Sequence, residues 1–311
     1  MSVEAVEIAK YCILSEIFIF NILGLFGNVQ LLWTTYRKKS THTKPGFLMA
    51  LNALYHIICL LGELTNATFI IANRQLTRMQ CYPFIMLYVF AICQQVFTTL
   101  LMGIDLLAAL LFPIWYRRCS TTPYLAIMIG FGTLYALFIA IWGFIARNND
   151  VIAFCNPPLG LAPTVSMFWS SSNVVINSVV VFVYVTIIIL VRLKAKSSTC
   201  QESRRVIKRL KVTAIVFVFS WYMAILGVNL GYAIGLRDDA LAIFQSNMVF
   251  FALLCYSQTF YVCLWRSLEY RSAFYEQMYI MVGRSYQRKA GPITSSTTKI
   301  VVQPITMTTK S

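Results

Sequence analysis

The chain has 311 residues, of which 59% are apolar and only 12% charged. That is about half the charged share of an ordinary globular protein, too few charges to cover a soluble surface of this size, so a lipid bilayer is the expected surrounding. The net charge of +15 first raises nucleic acid as a partner. However, the basic residues stand in short runs between long apolar stretches, which is the pattern of membrane loops, and no nucleic-acid partner is expected.

Seven segments are long and apolar enough to cross a bilayer as helices, at about 20 residues each. Continuous apolar runs of this length exclude a β-barrel, whose strands are short and alternate. Residues 1–12 form a short N-terminal segment. Span 1 (13–36) is too long for a signal-peptide core and is followed by no small-residue cleavage site, so it is read as an uncleaved anchor. It contains Asn28. Span 2 (47–72) contains His56 and Glu63. Polar groups in such surroundings can join helices by hydrogen bonds, and an intramembrane acid is by default a candidate for function. Glu63 is therefore expected either to line a ligand cavity or to bond a neighbouring helix. Asn66-Ala67-Thr68 fits a glycosylation pattern but lies inside span 2, where no glycan can be added.

Span 3 (83–113) has Cys81 at its mouth, Tyr88 in its first half and Asp105 near its far end. Span 4 (124–146) leads into a loop that carries Cys155. Span 5 (165–191) is followed by a basic run over 204–211 that includes Lys208 and Lys211. Span 6 (212–236) holds Trp221 and Asn229, and span 7 (240–264) holds Asn247. Residues 265–280 are expected to form a short amphipathic helix. Residues 281–311 are rich in Ser and Thr, poor in large apolar residues, and read as a disordered tail. In it Ser295, Ser296, Thr297 and Thr298 are either phosphate acceptors or simply solvated.

Orientation follows from the basic residues. The loops after spans 1, 3 and 5, with the tail, hold 21 Lys and Arg, and the opposite side holds 5. The basic side is expected to be cytosolic, which places the N-terminus outside. Cys81 and Cys155 then share an oxidising compartment, where they form a disulfide or remain two free thiols. No Cys/His spacing fits a metal site, no nucleophile or acid–base set points to an enzyme, and no cofactor is expected.

These features fall in one register. Asp105 lies 24 residues after Cys81 and opens the run Asp-Leu-Leu-Ala-Ala-Leu-Leu-Phe-Pro-Ile-Trp-Tyr, which ends at Tyr116. It resembles the Asp-Arg-Tyr and Pro-x-x-Tyr end of span 3 in rhodopsin-like G-protein-coupled receptors. Gly27-Asn28 is similar to their span 1 signature, Phe217-x-x-x-Trp221 to their span 6 switch, and Ser257-Gln258-Thr259-Phe260-Tyr261 to their Asn-Pro-x-x-Tyr. The run from Arg266 to Phe274 looks like the start of their cytosolic helix 8. Within that family the sequence most resembles the nematode serpentine chemoreceptors of class SX, through Ser-Gln-x-x-Tyr and Trp-Arg-Ser-x-Glu-Tyr-Arg-x-x-Phe. The resemblance covers residues 13 to about 280.

The resemblance implies an all-α bundle of seven transmembrane helices in the plasma membrane or a sensory cilium. It also implies a small-molecule or peptide ligand in the outer half, near Glu63, Tyr88, Trp221 and Asn247, and signalling through a heterotrimeric G protein. Asn28, Asp105, Leu106, Tyr116, Lys208, Lys211, Tyr261 and Arg266 would carry the conformational change or face that protein. Four departures qualify this picture. The family arginine after Asp105 is Leu106, which motivates an alternative reading as a non-signalling receptor or helper subunit. The common span 2 aspartate is His56, so the family's sodium site is not implied. The proline after Trp221 is absent, so span 6 is expected to kink less. The position at which amine receptors carry a span 3 aspartate is Tyr88, so a charged amine ligand is not expected to bind in the usual way. An opsin is excluded because no span contains a lysine for retinal. A transporter or channel would show half-to-half repeats, and none is evident.

Overall fold

The computed structural model describes residues 3–197, 215–287 and 301–304. Among these are six helices of membrane length and strong apolar character, and a shorter apolar helix over Ile215–Gly227. They form one all-α bundle, and the chain is a multi-pass membrane protein. Its outer surface carries large apolar side chains such as Ile22, Phe131 and Phe182, which are 72%, 68% and 71% exposed. Water would make such a surface costly; lipid does not.

Span 1 is the helix Val3–Arg37, which begins ten residues before the apolar run. The segment between them holds good helix formers and no Pro or Gly, so membrane length and helix length need not coincide. Span 2 is Lys44–Ile71, started by Thr43, whose hydroxyl accepts the Gly46 N–H at 3.2 Å. Span 3 is Arg78–Leu111 and opens with a capping box between Thr77 and Gln80. It stops before Pro113, because proline disfavours a helical residue ahead of it. A separate short helix, Pro113–Arg118, follows. Span 4 is Thr121–Ile145 and span 5 is Pro163–Ser197.

Span 6 is not a uniform α-helix. A π turn occupies Val218–Tyr222, around Trp221, and α-helix resumes over Met223–Ala233. Absence of the proline led to the expectation of a more regular helix here, and the irregularity arises by another route. Ser220 sits inside the turn and donates its hydroxyl back to the Val216 carbonyl at 2.7 Å, competing with the backbone ladder. Span 7 is also divided, into Asp238–Asn247 and Val249–Arg266, with the break at Met248. A further helix, Leu268–Met281, is capped by Ser267. It lies against spans 1 and 7: Phe274 packs on Phe260 with centroids 4.4 Å apart, and Glu276 pairs with Arg37 and Lys38. In the tail, Arg284–Gln287 and Val301–Pro304 pair as two antiparallel strands. The four Ser and Thr positions at 295–298 lie outside the described residues, as do Lys208 and Lys211.

Span 1 packs closely on spans 2 and 7. Asn28 donates to the Gly24 carbonyl and to the Tyr256 carbonyl, both at 2.8 Å, and so ties span 1 to span 7. The two helices can approach because Gly24 has no side chain: a Cβ there would stand 2.6 Å from Ser257 Oγ.

Cys81 and Cys155 form a disulfide, with Cα atoms 5.6 Å apart. Beside it, Leu76–Thr77 and Val151–Ile152 pair as a two-residue antiparallel ladder. Arg78 donates to the carboxylate of Asp150 at 2.6 Å. The loop between spans 4 and 5 is thus held down over the bundle, with Phe154 and Asn156 buried. The bridge joins positions 74 residues apart, and links of this kind contribute about 2–4 kcal/mol. Replacing Cys155 by serine should therefore lower the thermal unfolding midpoint of the purified protein. An unchanged midpoint would show that the ladder and the Arg78–Asp150 pair suffice.

Candidate functional site

The polar oddities of spans 2, 3 and 6 converge. Glu63, Tyr88 and Trp221 are all buried and line one cavity of about 50 Å³ in the Cys81 half of the bundle. Tyr88 donates its hydroxyl to Glu63 Oε1 at 2.5 Å, and Asn66 donates to Oε2 at 3.3 Å. Glu63 thus bonds a neighbouring helix and also faces a cavity. The asparagine of the discounted glycosylation pattern is a buried partner of that carboxyl.

Tyr256 of span 7 completes the cluster. It is fully buried, its hydroxyl is 3.5 Å from that of Tyr88, and its ring centroid lies 5.8 Å from Trp221 and 5.7 Å from His56. Trp169 and the loop residues Asn156 and Pro157 close the other sides. The indole N–H of Trp221 has no hydrogen-bond partner among the described residues, although a buried indole normally finds one. Volume at the rate of about 10–15 Å³ per water-sized group gives room for roughly three to five such groups.

Tyr88 reaches Glu63 only because position 62 is glycine. A Cβ there would lie 2.5 Å from Tyr88 Cγ, too close to be absorbed by a ring held in a packed core. The Gly62→Ala variant should displace Tyr88 from Glu63 and cost about 1–3 kcal/mol, the range for overpacking. Thermal unfolding with and without an activating ligand checks this, and a stability equal to the parent's would show that the ring has room to move.

Two other hollows flank this one. One of about 210 Å³ lies at the Cys81 end among Lys10, Arg74, Phe154 and Cys155. Another, of about 160 Å³, lies toward the Asp105 end and is lined by Asn52, His56, Phe217 and Gln258. The Asn52 amide and the His56 ring stand 3.2 Å apart there.

At the far end of span 3, Asp105 is buried and accepts from the Tyr116 hydroxyl at 3.0 Å. Burial first, and then the Asp105 carboxylate, push the Tyr116 phenol above its ordinary value, so it stays a proton donor. Lys44, at the start of span 2, is also buried. It donates to the Tyr116 carbonyl at 2.7 Å and lies over the Tyr116 and Tyr124 rings at 4.1 and 4.8 Å. It also acts electrostatically on Asp105. Leu106 packs against the apolar core.

The remaining candidates are placed apart. Asn247 does not line the cavity; its amide donates to the Ile243 carbonyl of its own helix at 2.8 Å, while Gln245 and Met248 face the cavity. Tyr261 donates to the Leu23 carbonyl at 3.1 Å and so faces span 1. Arg266 lies over the Trp265 ring at 3.7 Å. Sequence reasoning passed over Tyr256 and Lys44. Tyr256 directly precedes the Ser-Gln-x-x-Tyr motif, and Lys44 directly precedes the proline that starts span 2. Those positions were the available signals.

Seven apolar helical segments, a disulfide from the mouth of span 3 to the loop between spans 4 and 5, and an acid at the far end of span 3 together describe a receptor bundle. No curated protein matches the chain. A family model does, over residues 21–278, and the chain belongs to that family, the serpentine type 7TM GPCR chemoreceptors Srsx.

Proposed function

We propose that the protein is a chemosensory receptor of the plasma membrane, oriented with its N-terminus outside, in keeping with the bias of basic residues. It binds a small molecule in the cavity around Glu63, Tyr88 and Trp221 and signals through a heterotrimeric G protein. The observation that carries this reading is the convergence of those three side chains, from three different spans, on one buried cavity. A space of about 50 Å³ favours a small molecule over a peptide. Trp221 sits in the π turn of span 6, and such turns recur at functional sites. A ligand touching Trp221 therefore acts on the least regular turn of that helix and shifts the population of its conformations.

The test is a G-protein reporter in cells that display the receptor, challenged with a panel of small odorants. At least one should give a response, and filling the cavity by Ala224→Phe should abolish it. Silence despite good surface display, or a response indifferent to Ala224→Phe, would count against the proposal.

Leu106 favours a second reading. Its side chain cannot donate to Asp105, which accepts from Tyr116 instead. A receptor that binds but does not signal would show ligand-dependent thermal stabilisation with a silent reporter.

A further inference from the structure

We infer that the cavity is built for a small organic cation, an alkylammonium of about five non-hydrogen atoms, with Glu63 as its counter-charge. The inference rests on that cavity being the ligand site. Its first support is charge. Among the described residues that line the cavity, Glu63 is the one carboxyl, and none is a Lys, Arg or His. His56, on the other side of Tyr256, faces the other hollow. Both groups that touch the carboxyl, the Tyr88 hydroxyl and the Asn66 amide, are donors to it. Donors stabilise the ionised form, while burial disfavours it unless a positive group comes to pair with it. A buried carboxylate with donors but no cation is an incomplete pair, costly until a positive group joins it.

The second support is the wall. Tyr88, Trp169, Trp221 and Tyr256 line the same cavity as Glu63. Aromatic faces within about 6 Å attract ammonium groups, tryptophan most of all, and cages of this composition recognise alkylated ammonium. Ile225, Val249 and Ala252 also line the cavity, and they suit the alkyl part. An anion would meet Glu63 with nothing to offset it. A neutral ligand would leave the carboxylate unpaired.

The experiment uses the intact protein in detergent and reads binding directly, as the concentration dependence of the thermal shift. The probes are tert-butylammonium, tetramethylammonium and tert-butanol, which share one shape and differ in charge. The two cations should bind roughly 100-fold more tightly than tert-butanol, the scale of a buried charge pair. In Glu63→Gln, which keeps the shape of the side chain, that preference should fall to within about threefold. The inference is overturned if tert-butanol matches the cations, if none of the three binds, or if Glu63→Gln keeps the preference. Should Glu63→Gln fail to fold, the comparison of probes on the parent protein decides alone. A reporter response to other odorants that is lost in Ala224→Phe, with no binding of either cation, overturns the ligand class and leaves the site standing.

Discussion

Replacing Tyr256 by alanine should produce the largest loss of any single change in the ligand half of the bundle. The side chain is fully buried and touches three rings at once, those of Tyr88, Trp221 and His56. Removing a buried aromatic ring costs about 3–5 kcal/mol, and the cavity left behind would open the ligand space toward the hollow around His56. The purified variant should melt well below the parent, and its ligand-driven reporter signal should fall at least about tenfold, the equivalent of roughly 1.4 kcal/mol of coupling.

Tyr256→Phe separates packing from polarity. It keeps the ring and removes only the hydroxyl that stands 3.5 Å from Tyr88. Its stability should stay within about 1.5 kcal/mol of the parent, the net worth of one hydrogen bond. A reporter response unchanged in both variants would show that Tyr256 is filler, and that ligand contact reaches span 6 without it.

The contrast between Tyr256 and Glu63 shows what a sequence of this kind reveals. A carboxylate inside an apolar run is conspicuous because lipid makes it costly, so Glu63 and Asp105 stand out in the sequence itself. The same holds for Cys81 and Cys155, marked by their place at one end of the bundle. A tyrosine in a span rich in aromatic residues carries no such mark, and only the approach of spans 2, 3, 6 and 7 makes Tyr256 the hub. Lys44 was hidden differently. It is one of several basic residues after span 1, and nothing in its neighbours says that it alone turns inward beneath Tyr116. Asn247 and Gln245 show a third limit. Each residue turns a helix by about 100°, so the break at Met248 resets which side of span 7 faces inward. A regular helix drawn through 240–264 cannot assign that face. The π turn at Trp221 is illegible for the same reason, since no proline or glycine announces it.

The second large effect is expected at the other end, from Lys44→Met. Lys44 holds the Tyr116 carbonyl and lies over two aromatic rings, and Tyr116 in turn holds Asp105. A charged hydrogen bond and a partly desolvated cation over aromatic faces together contribute about 2–4 kcal/mol. Methionine keeps the apolar stem and removes the charge. Spans 2 and 3 and the short helix Pro113–Arg118 would lose their common tie, and the resting arrangement would be less favoured than the active one. Basal reporter signal should rise several-fold while surface display is maintained. Adding Leu106→Arg to Lys44→Met supplies a new cation beside Asp105 and should return the basal signal toward that of the parent. That rescue is the mark of an electrostatic role, since a packing defect at position 44 would not be cured from position 106. Leu106→Arg alone discriminates the two readings of the receptor. If Lys44 already supplies the positive charge, the single variant should signal within about twofold of the parent. A strong gain of ligand-driven signal from that one substitution would mean instead that the missing arginine had silenced the receptor.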